Sequence, residues 1–199
     1  SNLDIVDLDC DFYVFSGHKL YGPSGIGVLY MKDRWFGDFE PYQGGGDMID
    51  KVEIDKTIYA SGYHKFEAGP PPIVQVIGLG SSIDFINSFN LDNISLNEMK
   101  LHDYAISKLS SQNDIIIYGN SLDKGAIISF NINGIHASDL SMFLDQKNIA
   151  VRTGHHCAQP LMKYFGITSS ARASFGIYNN FNDVDLFVDS LLDAKKFFK

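Results

Sequence analysis

The stretch from Asp11 to Tyr30, DFYVFSGHKLYGPSGIGVLY, constrains the fold more than any other part of the chain. Phe12 to Phe15 form a short apolar, aromatic run, Ser16 and Gly17 break it, and Lys19 follows at once; beyond a Gly-Pro turn, Ile26 to Tyr30 form a second apolar run. The pattern predicts strand, turn and strand, with a lysine at the lip of the first strand. On that pattern alone an exposed surface amine is the ordinary reading. The neighbours favour another. Ser16 brings a hydroxyl, His18 an imidazole and Gly17 an unobstructed backbone N–H, a set able to hold a phosphate beside an amine. An amine buried in such a place loses proton affinity and forms a Schiff base with an aldehyde. Gly22 to Gly27 lead into a strand and not into a helix, which argues against a dinucleotide loop.

A second chemical stretch, Arg152-Thr153-Gly154-His155-His156-Cys157-Ala158-Gln159-Pro160, lies where a strand predicted over Ile149 to Val151 ends. Gly154 frees the backbone, and Pro160 limits how far the loop can wander. Cys157 has three readings: an idle cysteine, a metal ligand with His155 and His156, or a nucleophile. Adjacent residues seldom aim at one ion, and no paired ligand spacing occurs elsewhere, which disfavours the metal. A thiol between a histidine pair and an arginine is favoured as thiolate. Cys10, flanked by Asp9 and Asp11, lacks that environment and reads as structural. Arg172, on a strand predicted over Ala171 to Phe175, suits either a two-point grip on a carboxylate or a structural ion pair.

These residues also match a family. Ser16-Gly17-His18-Lys19-Leu20-Tyr21-Gly22-Pro23 resembles the cofactor-lysine motif of pyridoxal-phosphate cysteine desulfurases, in the SUF-type, group II branch that includes selenocysteine lyases. Arg152 to Pro160 resembles that branch's active-cysteine signature, and Phe66-Glu67-Ala68-Gly69 and Arg172-Ala173-Ser174 fall in the expected order. The resemblance covers essentially the whole chain but corresponds to the C-terminal half of such an enzyme. It implies an α/β fold, the C-terminal portion of an aminotransferase-like (fold type I) enzyme. Residues 1–90 would be the end of the large cofactor-binding sheet domain, and residues 91–199 the small α/β domain carrying the active cysteine.

The resemblance further implies roles. Lys19 holds pyridoxal 5'-phosphate as a Schiff base and its amine moves the substrate's α-proton, while Ser16 and His18 serve the cofactor. Cys157 thiolate takes sulfur from L-cysteine, leaving an enzyme persulfide and L-alanine. Arg172 holds the α-carboxylate, Arg152 contacts substrate or orients the loop, and His156 or His155 manages protons at the thiol. Selenocysteine fits the same site. A short cysteine loop implies a separate sulfur-acceptor protein, of the SUF system, feeding iron-sulfur cluster assembly. The glycines Gly44 to Gly46, otherwise a flexible loop or a point of close backbone approach, would lie near the partner subunit's active site, which implies a homodimer. One position departs from the pattern: Pro70 stands where the family has a threonine that reaches the cofactor phosphate of the other subunit, so one phosphate contact fewer is expected. The family's carboxylate for the pyridine nitrogen and its ring-stacking histidine precede the lysine motif. The chain begins at Ser1 without Met, and Leu3 to Cys10 lead directly into the first strand, so missing upstream sequence is expected. A catalytically incomplete fragment is therefore one alternative. A non-catalytic fold relative used for binding or regulation is another, against which intact Lys19, Cys157 and Arg172 speak.

Composition narrows the classes. With a net charge of -8 spread along the chain, nothing attracts a polyanion over a wide face, so nucleic acid is not an expected partner. No apolar run approaches the roughly 20 residues that span a bilayer, and the two cysteines indicate no disulfide framework, which fits a reducing cytoplasm.

Elsewhere, Lys32 to Asp47 reads as irregular. After Pro70-Pro71-Pro72, Ile73 to Phe89 reads as a helix with Val76, Ile77, Leu79, Gly80 and Ile83 at helical spacing. A second helix spans Asn90 to Ser111, with Asn93 as a cap, Leu101, Tyr104, Ala105 and Leu109 as its stripe, and His102 on the solvated face. Ile115 to Tyr118 and Ile127 to Ile132 read as strands. Ser138 is the expected cap of a helix turning Leu140, Phe143 and Leu144 inward. Asn182 is the expected cap of a last helix packing Val184, Phe187, Val188, Leu191, Leu192 and Phe198.

Overall fold

Two apolar runs joined by a short loop pair as the sequence requires: Phe12–Ser16 (β1) and Gly27–Met31 (β2) form an antiparallel ladder from Phe12 opposite Met31 to Ser16 opposite Gly27. The structure, a computed structural model, describes residues 3–119, 121 and 124–198. Its chain divides into two compact units, Ser1–Leu91 and Asp92–Lys199.

The first unit opens with the single-turn helix Ile5–Leu8 (α1), capped by the Asp4 carboxylate, which accepts from the Val6 and Asp7 amides. Ionic ties hold the start of β1 to the chain after β2. Asp11 accepts from the Arg34 guanidinium and from Trp35 Nε1 at 3.0 Å, and Lys32 pairs with Asp9. The Lys32 bond holds the Asp9 carboxyl, and the Trp35 N–H with the Arg34 guanidinium holds the Asp11 carboxyl, below the usual aspartate range. Phe12 packs on Trp35 and Phe39 at ring separations of 6.0 and 5.6 Å. The region after Asp47 contains an unpredicted hairpin, Ile49–Val52 (β3) with Thr57–Tyr59 (β4). Its strands are too short and too exposed to show alternation, with only Met48 beside them fully buried.

Ile73–Asn87 (α2) starts after the proline run as predicted, with Pro72 as its first cap residue. Its buried stripe is Leu79, Ser82 and Ile86, whereas Val76 and Ile77 stay 48% and 65% exposed. The helix is apolar on several sides, so spacing alone did not single out the buried face.

The second unit is built on a four-stranded antiparallel sheet of Ile115–Tyr118 (β5), Ile127–Ile132 (β6), Arg152–Gly154 (β7) and Ser170–Ser174 (β8), in the spatial order β5-β6-β8-β7. One face carries Ile128, Phe130, Ile132, Ala171 and Ala173, all buried. Against it pack Leu91–Leu109 (α3), Ala137–Asp145 (α4) and Phe181–Phe198 (α6), through Leu101, Leu109, Leu140, Leu144, Val184 and Leu191. A short helix, Gln159–Tyr164 (α5), links β7 to β8. No helix among the described residues is long and apolar enough to cross a membrane.

Several expected details are corrected. The strand expected at Ile149 to Val151 forms its ladder three residues later, because Ile149 and Val151 pack on the core while Arg152 to Gly154 reach β8. His102 lies beside the buried stripe of α3 and is 7% exposed, with Nδ1 on Asp103 at 3.0 Å. Asn93 falls inside the first turn of α3. The α4 cap is His136, whose Nδ1 accepts from the Ser138 amide at 3.3 Å, and Ser138 follows it. Phe198 is 39% exposed rather than packed inward. At α6 the cap is Asn180, whose side-chain oxygen accepts from the Asn182 amide at 2.8 Å and the Asp183 amide at 3.4 Å. Asn180→Ala is expected to cost about 1 kcal/mol in denaturant unfolding, whereas Asn182→Ala, an exposed first-turn change, is expected to stay within about 0.5 kcal/mol of the parent.

Candidate active site

In the first unit the candidate residues gather on the turn between β1 and β2. Gly17 to Leu20 form a single 3-10 turn that ends on Tyr21 in the left-handed region, φ 58°. Gly17 is the fixed point of this turn. Its N–H donates to the Ile26 carbonyl at 2.9 Å, and its own carbonyl accepts from Gly22 N at 3.0 Å. A Cβ there would lie 2.7 Å from Ile26 Cγ2 and 3.3 Å from the Ile26 carbonyl, so only glycine fits. This corrects one expectation: the Gly17 amide is already spent within the loop and is not free for a phosphate.

Lys19 emerges exposed from the turn, and among the described residues its amine makes no hydrogen bond or ion pair. It lines a cavity of about 290 Å³ with Ser16, Tyr13, Phe15, Tyr30 and Leu20 among its walls. His18, beside it, is also exposed. An unpaired amine at an aromatic, partly apolar cavity with a hydroxyl on its rim fits an aldehyde-bearing aromatic phosphate such as pyridoxal phosphate. The same unit joins two further motifs. Gly69 N donates to the Gly46 carbonyl at 2.9 Å, and a Cβ on Gly45 would lie 2.9 Å from Ala68 Cβ, so the triple-glycine loop is a close-packed partner of Glu67 to Gly69. Pro70 follows Gly69 (φ 81°) and is exposed.

In the second unit the sheet face opposite the core carries the chemistry. Because Ala171 and Ala173 turn inward, Arg172 between them turns outward, and the ladder sets Arg152 directly across from it. Arg172 Nε is buried without a hydrogen-bond partner among the described residues, a donor left over where a ligand anion would be welcome. Beyond β7 the chain makes a turn closed by Ala158 N donating to the His155 carbonyl at 2.9 Å. Its two central residues, His156 (φ 54°) and Cys157 (φ 60°), are both left-handed, as in a type I' turn. Neither is glycine, so the conformation costs about 1–2 kcal/mol per residue, and such strain is typical of functional sites.

Cys157 sits exposed at the crest, with Arg152 Nη2 donating to its Sγ at 3.3 Å. A recess of about 480 Å³ lined by Arg152, Thr153, His155, His156, Cys157 and Gln159 opens beside it. The two imidazoles part company: His155 meets Gln159 at 3.3 Å, while His156 Nε2 lies 3.0 Å from both the carbonyl and the hydroxyl of Ser170. Burial pushes the His156 pKa below the ordinary histidine value, the charges of Arg172 and Arg152 push the same way, and the Ser170 bond only partly offsets them. The chain therefore brings Arg152, His156, Cys157 and Arg172 together on one side of one sheet. Sequence reading missed Ser170, whose 1% exposure and cross-ladder place opposite Gly154 have no signature in the order of residues.

Since the unfolded chain binds the His156 proton more readily than the folded one, stability is full above the ordinary histidine pKa of about 6.5 and falls as pH drops below it. Chemical unfolding at pH 7.5 and at pH 5.5 is expected to show this loss, and His156→Gln, which has no proton to take up, is expected to reduce it.

Comparison with known proteins places these motifs. Residues 1–187 match the aminotransferase class-V family. A cysteine desulfurase of Salmonella agona is 47% identical over 190 residues, which are 95% of this chain and 47% of that protein. Among solved structures, the cysteine desulfurase CsdA of Escherichia coli superposes with a TM-score of 0.93 at 36% identity, over 98% of this chain and 48% of that one. The cysteine desulfurase of Thermococcus onnurineus gives 0.92 at 37% identity, over 96% and 48%. The chain thus spans about half the length of the curated relatives it matches. The expected α/β fold, that of part of a fold type I enzyme, is the one observed, and by motif, sequence and architecture the chain belongs to the aminotransferase class-V family.

Proposed function

We propose that this chain carries the lysine and cysteine of a pyridoxal-phosphate-dependent cysteine desulfurase, an enzyme that removes sulfur from L-cysteine and releases L-alanine. The observation that carries the reading is the Cys157 turn: an exposed thiol on a strained crest, with a guanidinium donating to its sulfur at 3.3 Å. A guanidinium keeps its charge at any working pH, so the sulfur faces a permanent cation.

Lys19 would hold the cofactor through its amine, with Ser16 and His18 as the neighbouring polar groups. When bound, pyridoxal phosphate supplies the electron sink that loosens the bonds at the substrate's α-carbon. Lys19 would carry the α-proton, and Arg172, with its unpaired buried Nε, would hold the α-carboxylate. Cys157 thiolate would attack the substrate sulfur. An S–S bond forms as the C–S bond breaks, the bonding pair stays with carbon, and a proton completes alanine. Arg152 would steady the thiolate before the attack.

The turn runs only from His155 to Ala158, between the end of β7 and the start of α5. At no more than about 3.6 Å per extended residue, it cannot carry a persulfide far. That supports a separate acceptor protein that comes to the site, in our reading one of the SUF system serving iron-sulfur cluster assembly in the cytoplasm. Full exposure of Tyr42, two residues before the clasp of Gly44 to Gly46 with Glu67 to Gly69, supports a homodimer. Selenocysteine, differing only in its larger chalcogen, would enter the same site.

In the holoenzyme, Cys157→Ser is expected to reduce alanine release from cysteine by at least about a hundredfold, in line with loss of a nucleophile, while the cofactor's absorption persists. Undiminished turnover would remove Cys157 from the reaction. Pyridoxal phosphate fixed by borohydride is expected on the peptide containing Lys19, and Lys19→Ala is expected to abolish that adduct. Recovery of the adduct on another lysine would overturn the cofactor assignment.

A further inference from the structure

His156 stands next to the thiol, yet its ring is committed elsewhere. A carbonyl oxygen can only accept, so the 3.0 Å contact with the Ser170 carbonyl places the ring proton on Nε2, with the Ser170 hydroxyl sharing the same hydrogen at 3.0 Å. Nδ1 is then a bare acceptor, buried and without a partner among the described residues. Protonating it would place a positive charge on a partly buried ring that already feels the Arg172 and Arg152 guanidiniums.

We propose that His156 is a positioning residue for Cys157: its Nε2–H pins the strained turn to Ser170 of β8, sets Sγ beside Arg152, and exchanges no proton with the thiol. This deepens the cysteine desulfurase reading and rests on it for the use to which the thiol is put.

Two features support the assignment. Left-handed backbone at two consecutive non-glycine residues persists only where surrounding contacts over-determine it. The bond from Ala158 to His155 closes the turn but fixes nothing to the sheet, whereas the His156 link does. The pin and the guanidinium also share one frame. Ser170 faces Gly154, and Arg152 faces Arg172, on the same β7–β8 ladder. Ser170 is 1% exposed, so the anchor does not yield.

Glutamine separates positioning from proton transfer, since its amide donates a hydrogen bond from nearly the reach of Nε2 but takes up no proton near neutral pH. The test follows alkylation of Cys157 by iodoacetamide, read by peptide mass from about pH 6 to about pH 9, in the unmodified chain and in His156→Gln and His156→Ala. Alkylation needs neither substrate nor cofactor, so its outcome stands apart from any failure of cysteine turnover. His156→Gln is expected to overlay the parent profile within about twofold, and His156→Ala, which frees the turn from Arg152, to react about tenfold more slowly near neutral pH. Equal loss in both variants would overturn the proposal in favour of proton transfer by the ring. Parent-like rates in both would overturn it as well, because the pin would then not place the sulfur. In the holoenzyme, turnover retained by His156→Gln and lost by His156→Ala is the matching expectation. Loss of turnover in both, with alkylation retained in Gln, would confine the positioning role to the resting thiol and overturn its extension to sulfur transfer.

Discussion

The parity of β8 is the constraint on which the reactive half of this chain depends. Side chains alternate across a strand, so burying Ala171 and Ala173 against Phe130 and Ile128 obliges Arg172 to the other face. The same ladder then obliges Arg152 to that face and brings Ser170 opposite Gly154, where the cysteine turn departs. A slip of one residue would bury a guanidinium and expose the alanines together. Core packing and site geometry are thus one requirement. The small size of the two alanines matters for the same reason, since they let the large rings and branched chains of β6 and α6 fill the layer behind a strand that must present arginine in front.

The first unit meets an analogous demand with glycine. A strand that ends in a lysine-bearing turn must reverse within a few residues, and Gly17 permits it by letting Ile26 approach where any Cβ would collide. Tyr21 then accepts a left-handed backbone to close the turn. The loop satisfies its own backbone groups, Gly17 through Ile26 and Gly22 through Gly17, and among the described residues leaves the Lys19 amine without a partner. Polar groups in the two turns are therefore divided between those that build the loop and those that remain for a ligand.

Much of this was legible in the order of residues because it rests on local patterns. The runs at Phe12, Ile26, Ile115 and Ile127, and the proline-led start of α2, reappear within a residue or so of where spacing places them. What escaped depends on distance in sequence or on burial. Asn180 and Asn182 are equally good caps by type, and only the chain's entry angle selects Asn180. His102 reads as a surface residue until helix α3 is seen to bury both it and Leu101. Gly17 looked like an open amide because its acceptor, Ile26, is nine residues away. The hairpin of β3 and β4 buries too little to leave a period-two pattern. At the site, the residue types around Cys157 were visible, but the parting of His155 from His156 was not, since both lie in one tripeptide and their directions are set by two left-handed residues.

That parting bears on how the thiol is supported electrically. A protonated histidine would lend Cys157 a charge that fades as pH rises through the neutral range, near the histidine value of about 6.5. Arginine keeps its charge throughout. Arg152 lies at the sulfur, and burial with the two guanidiniums holds the His156 pKa below the ordinary histidine value, so the charge beside Cys157 comes from a group that does not titrate, in place of His156. It also stands out locally: two arginines share one sheet face in a chain whose net charge is -8. A face of that kind sets positive charge beside the thiol while the chain as a whole stays anionic.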